Sequence, residues 1–195
     1  MAARNRVTPM GEVVAAPGRG MWAGNRGCLH RGREIVRHHV GTRWIICATE
    51  FRGRWSAQWV PGRFTWLFFP DEAVALAAGH RPCAQCRWDA FNAYREAAFG
   101  RRLKVPVMDA QLQEERWAGG DRRLHRAAWA GLPTGAFVLH EGRPSLVLDD
   151  GILPWAFDGY RAPASRPRGG QATLITPPSS VRAIDAGYPV QHSSP

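Results

Sequence analysis

The sequence predicts an α+β fold: a small antiparallel sheet with a metal-anchored Cys-x-x-Cys helix, followed by a small β-rich C-terminal region. Three observations predict it. Short β-prone runs separated by turn residues fill positions 43 to 69, apolar residues recur at helical spacing between 83 and 99, and strand-like runs return after Leu132 between Gly and Pro turns. A chain of 195 residues with 45% hydrophobic and 22% charged residues can bury a core, and its composition is neither fibrous nor disordered.

Residues 1 to 20 are polar and Gly-rich without an apolar period, and a flexible tail is expected there. Arg43-Trp44-Ile45-Ile46-Cys47 reads as a first strand, Arg52-Gly53-Arg54 as a turn, and Trp55 to Val60 as the returning partner. Pro61-Gly62 marks a second turn, and Phe64 to Phe69 a third strand. A helix then starts at Pro70, with Asp71 and Glu72 favoured by the helix dipole and Gly79 as its stop. The next helix is expected from near Cys83 to Phe99, because Ala90, Phe91, Tyr94, Ala97 and Ala98 share one face and Gly100 follows. Asp109 is a candidate cap for a shorter helix reaching Trp117, broken by Gly119-Gly120. Strands are expected over Gly135–His140, Ser145–Leu148 and Ala172–Thr176, with a helical turn or two from Pro177 to Ile184. The domains expected are thus a tail over 1–20, a metal-binding α+β domain over 21–131, and a β-rich subdomain or sheet extension over 132–195.

No apolar run reaches the roughly 18 residues that a membrane span needs. The first 20 residues lack an apolar stretch long enough for a signal peptide, so a cytoplasmic location with no membrane partner is expected. The net charge is +10, with 26 Lys and Arg against 16 Asp and Glu. Such an excess attracts polyanions, of which nucleic acid is the commonest in a cytoplasm. Lys104 is the only lysine, so the charge is nearly all arginine; a GC-rich genome produces the same Arg, Ala, Gly and Pro bias.

Four cysteines occur, at 28, 47, 83 and 86. A reducing compartment argues against disulfides, and Cys83-x-x-Cys86 lacks the βαβ context of a redox dithiol. A Cys-x-x-Cys turn running into a helix places two sulfurs within reach of one ion, which points to Zn²⁺. Cys47 is the third candidate ligand, and Cys28, His30 or His80 the fourth.

The stretch from Leu67 through Pro70-Asp71-Glu72 to Ala78-Gly79-His80-Arg81-Pro82-Cys83-Ala84-Gln85-Cys86 resembles the metal-binding domain of the Ada DNA-repair proteins. There, a strand ending in paired aromatics leads through an Ala-rich helix to Ala-Gly-aromatic-Arg-Pro-Cys-x-x-Cys. Trp44-Ile45-Ile46-Cys47 stands where that family carries its first metal cysteine. The resemblance spans residues 42 to 90 and implies zinc, a DNA partner, and Cys47 as acceptor of a methyl group from a phosphotriester. The family has a second cysteine four residues later; here the position is Phe51.

Arginines interleave with aromatics through Arg43, Arg52, Arg54, Trp55, Arg63 and Trp66, and Arg81 and Arg87 flank the cysteine turn. Guanidinium groups pair with phosphate and exposed indoles stack on bases, so these eight are the candidate nucleic-acid contacts. Alternation along strands would send several of the tryptophans into the core instead. No triad, P-loop or His-Glu-x-x-His motif occurs. Asp109, Glu114, Glu115 and His125 are the candidate acid–base group for water activation on a nucleotide; the alternative is that Glu114, Glu115 and Arg116 form an exposed helix face with local ion pairs. The functions expected are zinc-stabilised DNA binding in repair, modified-DNA recognition or regulation; a DNA-processing enzyme of the glycosylase or nuclease type; or a zinc-stapled protein–protein adaptor.

Overall fold

A computed structural model describes residues 2–18, 20–53 and 56–193. In chain order the elements are β1 (Arg4–Val7), β2 (Val13–Ala15), β3 (Trp22–Asn25), β4 (His30–Arg31), β5 (Glu34–Ile35), β6 (Ile45–Cys47), β7 (Leu67–Phe69), α1 (Glu72–Ala77), β8 (Arg81–Pro82), α2 (Trp88–Phe99) and α3 (Val105–Arg116). They continue with β9 (Trp117–Ala118), β10 (Asp121–Arg122), β11 (His125–Ala128), a 3-10 turn over Trp129–Gly131, β12 (Phe137–His140), β13 (Arg143–Val147), β14 (Gly151–Ala156), β15 (Gly159–Tyr160), β16 (Ala164–Ser165), β17 (Gln171–Leu174) and α4 (Pro178–Asp185). The α+β class is as the sequence predicts. No helix is long and apolar enough to cross a membrane, among the described residues.

The first sheet has the order β2-β1-β7-β3-β6-β8. It is mixed rather than antiparallel, because β1 runs parallel to β7 and β6 parallel to β8. The expected tail is not one: residues 13–15 form the edge strand of the sheet and residues 4–7 the strand next to it, and their Val7 and Val13 enter the core. Two short strands that each bury so little leave no period long enough to read. The strand expected to return over 55–60 is not formed over its described part, residues 56–60, and the third strand is confined to β7.

Helix α1 is buried along its whole length, which its small alanines permit. Asp71 caps it, accepting the Val74 N–H at 2.8 Å, so Pro70 lies outside the helix rather than at its first position. Gly79 ends it at φ +88, where any Cβ would meet Arg116 Cδ at 2.6 Å. Helix α2 begins at Trp88, leaving both cysteines on the turn before it. Helix α3 starts four residues ahead of Asp109, which is therefore mid-helix and not a cap.

The C-terminal strands make their own antiparallel sheet, in the order β11-β17-β12-β13-β14-β15. Alternation divides its side chains between two cores. Phe137, Leu146, Leu153 and Ile175 pack with α1 and α2, while Val138, Val147, Ile152 and Leu174 pack with Trp129 and Leu132. The second sheet therefore starts before Leu132, with β11, and shares the main core with the first.

Candidate metal centre

The parallel pairing of β6 with β8 sets the centre. Ile46 faces Pro82 in the register, and the Cys83 N–H donates to the Ile46 carbonyl at 2.9 Å, so Cys47 and Cys83 leave their strands side by side. The Arg87 N–H closes the following turn on the Cys83 carbonyl at 3.1 Å and brings Cys86 back toward the strands. The sulfurs of Cys47, Cys83 and Cys86 lie within 4.8 Å of one another, a group that could hold a metal ion. With metal–sulfur bonds of about 2.3 Å, two sulfurs on one tetrahedral ion sit roughly 3.8 Å apart, so the spacing fits one ion.

Two backbone amides point at these sulfurs: Ala48 N–H at Cys86 Sγ and Gln85 N–H at Cys83 Sγ, each at 3.4 Å. Such donors favour the thiolate. Without an ion, Cys47 donates toward Cys83 and Cys86; this pushes the Cys47 thiol up, lowers Cys83 to about 5 and lowers Cys86 too. The donor set is all soft sulfur, which suits a thiophilic cation rather than Mg²⁺ or Ca²⁺.

Cys28 is not part of the group: its Sγ lies 3.8 Å from the His30 carbonyl. His30 is held by Thr65 Oγ1 at 2.7 Å and the Val60 carbonyl at 3.2 Å. His80 is fully buried, accepts from Arg26 Nε at 3.1 Å, and packs edge-on against Phe69. Burial, reinforced by Arg26 and Arg116, pushes its pKa well below the ordinary histidine range. None of the three fourth-ligand candidates joins the cluster, because each is committed to a different part of the fold.

All three cysteines line a concavity of about 450 Å³ walled by Phe51, Phe64, Trp66 and Arg63, with Asn25 and Gln85 among its polar lining. Phe64 and Trp66 meet at 5.2 Å between ring centroids. Asn25 and Gln85 were not singled out from sequence, since neither carries a pattern of its own.

The arginines divide. Arg43, Arg52 and Arg63 are exposed, with Arg52 over the Phe51 ring at 5.0 Å. Arg81 is 1% exposed and bonds Asp109 through two contacts of 2.8 and 2.9 Å, so it does not face nucleic acid. Arg87 is likewise enclosed, paired with Glu72 at 2.7 Å and lying 3.8 Å over the Trp22 ring. Arg54 and Trp55 fall outside the described residues.

Sequence reasoning also missed a cationic core. Trp44, fully buried, has Arg26 at 4.3 Å and Arg116 at 4.1 Å from its ring centroid. Carbonyls and His80 bind the two guanidiniums: Arg26 donates to His80 and to the Gly11 carbonyl while its Nη2 has no hydrogen-bond partner among the described residues, and Arg116 binds the carbonyls of Gly79 and Thr42. Burial lowers both, Arg116 to about 9.

Of the candidate acid–base group, Asp109 is consumed by Arg81. Glu115 accepts the backbone N–H and hydroxyl of Ser179 at 2.8 and 2.6 Å, capping α4. His125 Nε2 donates to the Glu115 carbonyl at 2.6 Å. Glu114, Glu115 and His125 do share one open groove of about 760 Å³ with Arg123, and Glu114 is exposed. Compared with family models, curated proteins and solved structures, the chain matches none.

Proposed function

We propose that the chain is a zinc-binding protein that holds DNA at the face around its three-cysteine cluster, acting in repair, modified-DNA recognition or regulation. One observation carries the proposal: Cys47, Cys83 and Cys86 line a pocket whose other walls include Arg63, Phe64 and Trp66. Arg52 and Arg63 offer charge to phosphates, and Trp66 and Phe64 offer faces to unstacked bases. The turn that carries Cys83 and Cys86 resembles in sequence that of the Ada metal-binding domain, and that resemblance belongs to the proposal. Bound there, zinc would tie β6 to the turn before α2 and keep the sulfurs deprotonated yet nucleophilic.

The test is fluorescence anisotropy with labelled single- and double-stranded DNA across a salt series. Phosphate-dominated binding weakens steeply with salt, and log affinity against log salt gives the number of phosphates neutralised. Salt-independent binding, or none at low salt, defeats the proposal and leaves a protein–protein adaptor as the better account. Methyl acceptance by Cys47 would form a sulfur–carbon bond, break the methyl–oxygen bond and release the phosphodiester anion. A mass gain of one methyl on the peptide carrying Cys47, after exposure to methylphosphotriester DNA, checks it; an unmodified peptide retires it.

A DNA-processing enzyme is the second reading, favoured by the shared groove of Glu114, Arg123 and His125. Strand breaks or abasic sites that disappear in Glu114→Gln would support it, and intact DNA would reject it.

A further inference from the structure

Three thiols supply three corners of a tetrahedron. No other Cys, His, Asp or Glu among the described residues joins their group. The remaining approach to the sulfurs is a pocket, because all three cysteines line the concavity of about 450 Å³ described above. Closed structural zinc sites use four protein donors; three donors with a reachable fourth position are the arrangement of sites that exchange a ligand.

We infer, on the reading that this cluster binds zinc, that the fourth position is filled from the pocket by the ring nitrogen of a flat aromatic heterocycle. Three features select that chemistry. Phe51, Phe64 and Trp66 give the pocket aromatic walls, which favour a planar π-system over a small carboxylate or a flexible chain. A ring nitrogen is an ordinary zinc donor and adds no charge to three thiolates. The exposed Arg63 beside these rings provides a cation for a phosphate or carboxylate carried by the same molecule. A nucleobase has this chemistry, and so does a free imidazole-bearing metabolite. The lone pair of the ring nitrogen is donated to the ion while the ring rests on Phe64 and Trp66.

The experiment uses the full chain loaded with Co²⁺, whose visible ligand-field bands report the donors around it, with imidazole as probe. Cobalt uptake with sulfur-to-metal charge transfer is expected, followed by a saturable shift of the ligand-field bands as imidazole is added. Cys28→Ser leaves both spectra unchanged. Phe51→Cys places a fourth thiol in the pocket wall, raises the charge-transfer intensity and abolishes the imidazole response. Trp66→Ala leaves the metal-only spectrum intact and weakens imidazole binding about tenfold through lost stacking, while Trp66→Phe retains most of it.

An imidazole-blind spectrum in the cobalt-loaded protein overturns the inference and leaves the metal reading standing, as does a spectrum altered by Cys28→Ser. Failure to take up cobalt at all overturns the metal reading itself. Guanosine and a short DNA strand, tested in the same assay, distinguish a nucleobase from a free metabolite.

Discussion

The ion pair between Arg81 and Asp109 offers the sharpest test of how this fold is held together. Arg81 occupies β8, two residues before Cys83, and its fork meets both oxygens of Asp109 in α3 at 2.8 and 2.9 Å. Both side chains are nearly solvent-free, at 2% and 4% exposure. Asp109→Ala strands the Arg81 guanidinium, and Asp109 also helps keep Arg116 charged nearby. Breaking one side of a buried pair costs about 3–5 kcal/mol, and two dependent cations put the expected value in the upper half of that range. Against a typical total of about 5–15 kcal/mol, this is a third or more of the stability. With a urea slope near 2 kcal/mol/M, the midpoint of unfolding should fall by about 2 M. Replacing both partners, as Arg81→Met with Asp109→Leu, removes the stranded charge and should recover most of the loss. A single mutant within about 1 kcal/mol of wild type would refute the reasoning, as would a double mutant no better than the single.

Other expectations concern the metal, the nucleic acid and pH. Cys83→Ala or Cys86→Ala should abolish stoichiometric metal uptake and lower the Tm, because ligation and folding are coupled; metal analysis showing a full complement in either would contradict the cluster. Arg52→Ala with Arg63→Ala should lower the salt slope of DNA binding by about 2 without changing the unfolding curve, and an unchanged slope would place the contact face elsewhere. His38, stacked on Trp117 at 4.1 Å, has its pKa lowered to about 3 by burial and then by Arg26. Below pH 6.5 the unfolded chain takes up a proton that the folded chain refuses, so stability falls as pH drops from about 6.5 toward 3. Since His38 is partly exposed, the loss on going to about pH 4.5 should exceed that of His38→Gln by roughly 2 kcal/mol, measured by urea unfolding at both pH values. Equal pH dependence in the two proteins would count against a neutral, half-buried imidazole.

The Cys83–Cys86 pair was legible because its information is local: a single turn brings the two together. Cys47 was reached through the resemblance to the Ada domain, and the folded chain brings it to the pair by setting β6 beside β8. The start of α1 was legible for the same reason as the pair: Asp71 and Glu72 act within one helical turn. The exposure of the candidate arginines was half legible. Arg52 and Arg63 lie in turns and stay exposed, whereas Arg81 and Arg87 differ from them only in what the rest of the chain brings against them.

Composition, the Cys-x-x-Cys spacing and the short alternating runs thus sufficed for an α+β chain with a paired-thiol turn, since each acts over a few residues of backbone. The partners that lie far away in the chain required the folded molecule. Asp109 meets Arg81 across 28 residues, Glu115 meets Ser179 across 64, and Arg116 meets the carbonyl of Gly79 across 37. The same holds for the missing fourth ligand. Whether Cys28, His30 or His80 reaches the sulfurs depends on where the segment entering β4 and the turn after α1 pack, and packing turns each of them to another neighbour. A buried charge or an open coordination position is a property of the space around a residue, and that space is assembled from parts of the chain that carry no mark of one another.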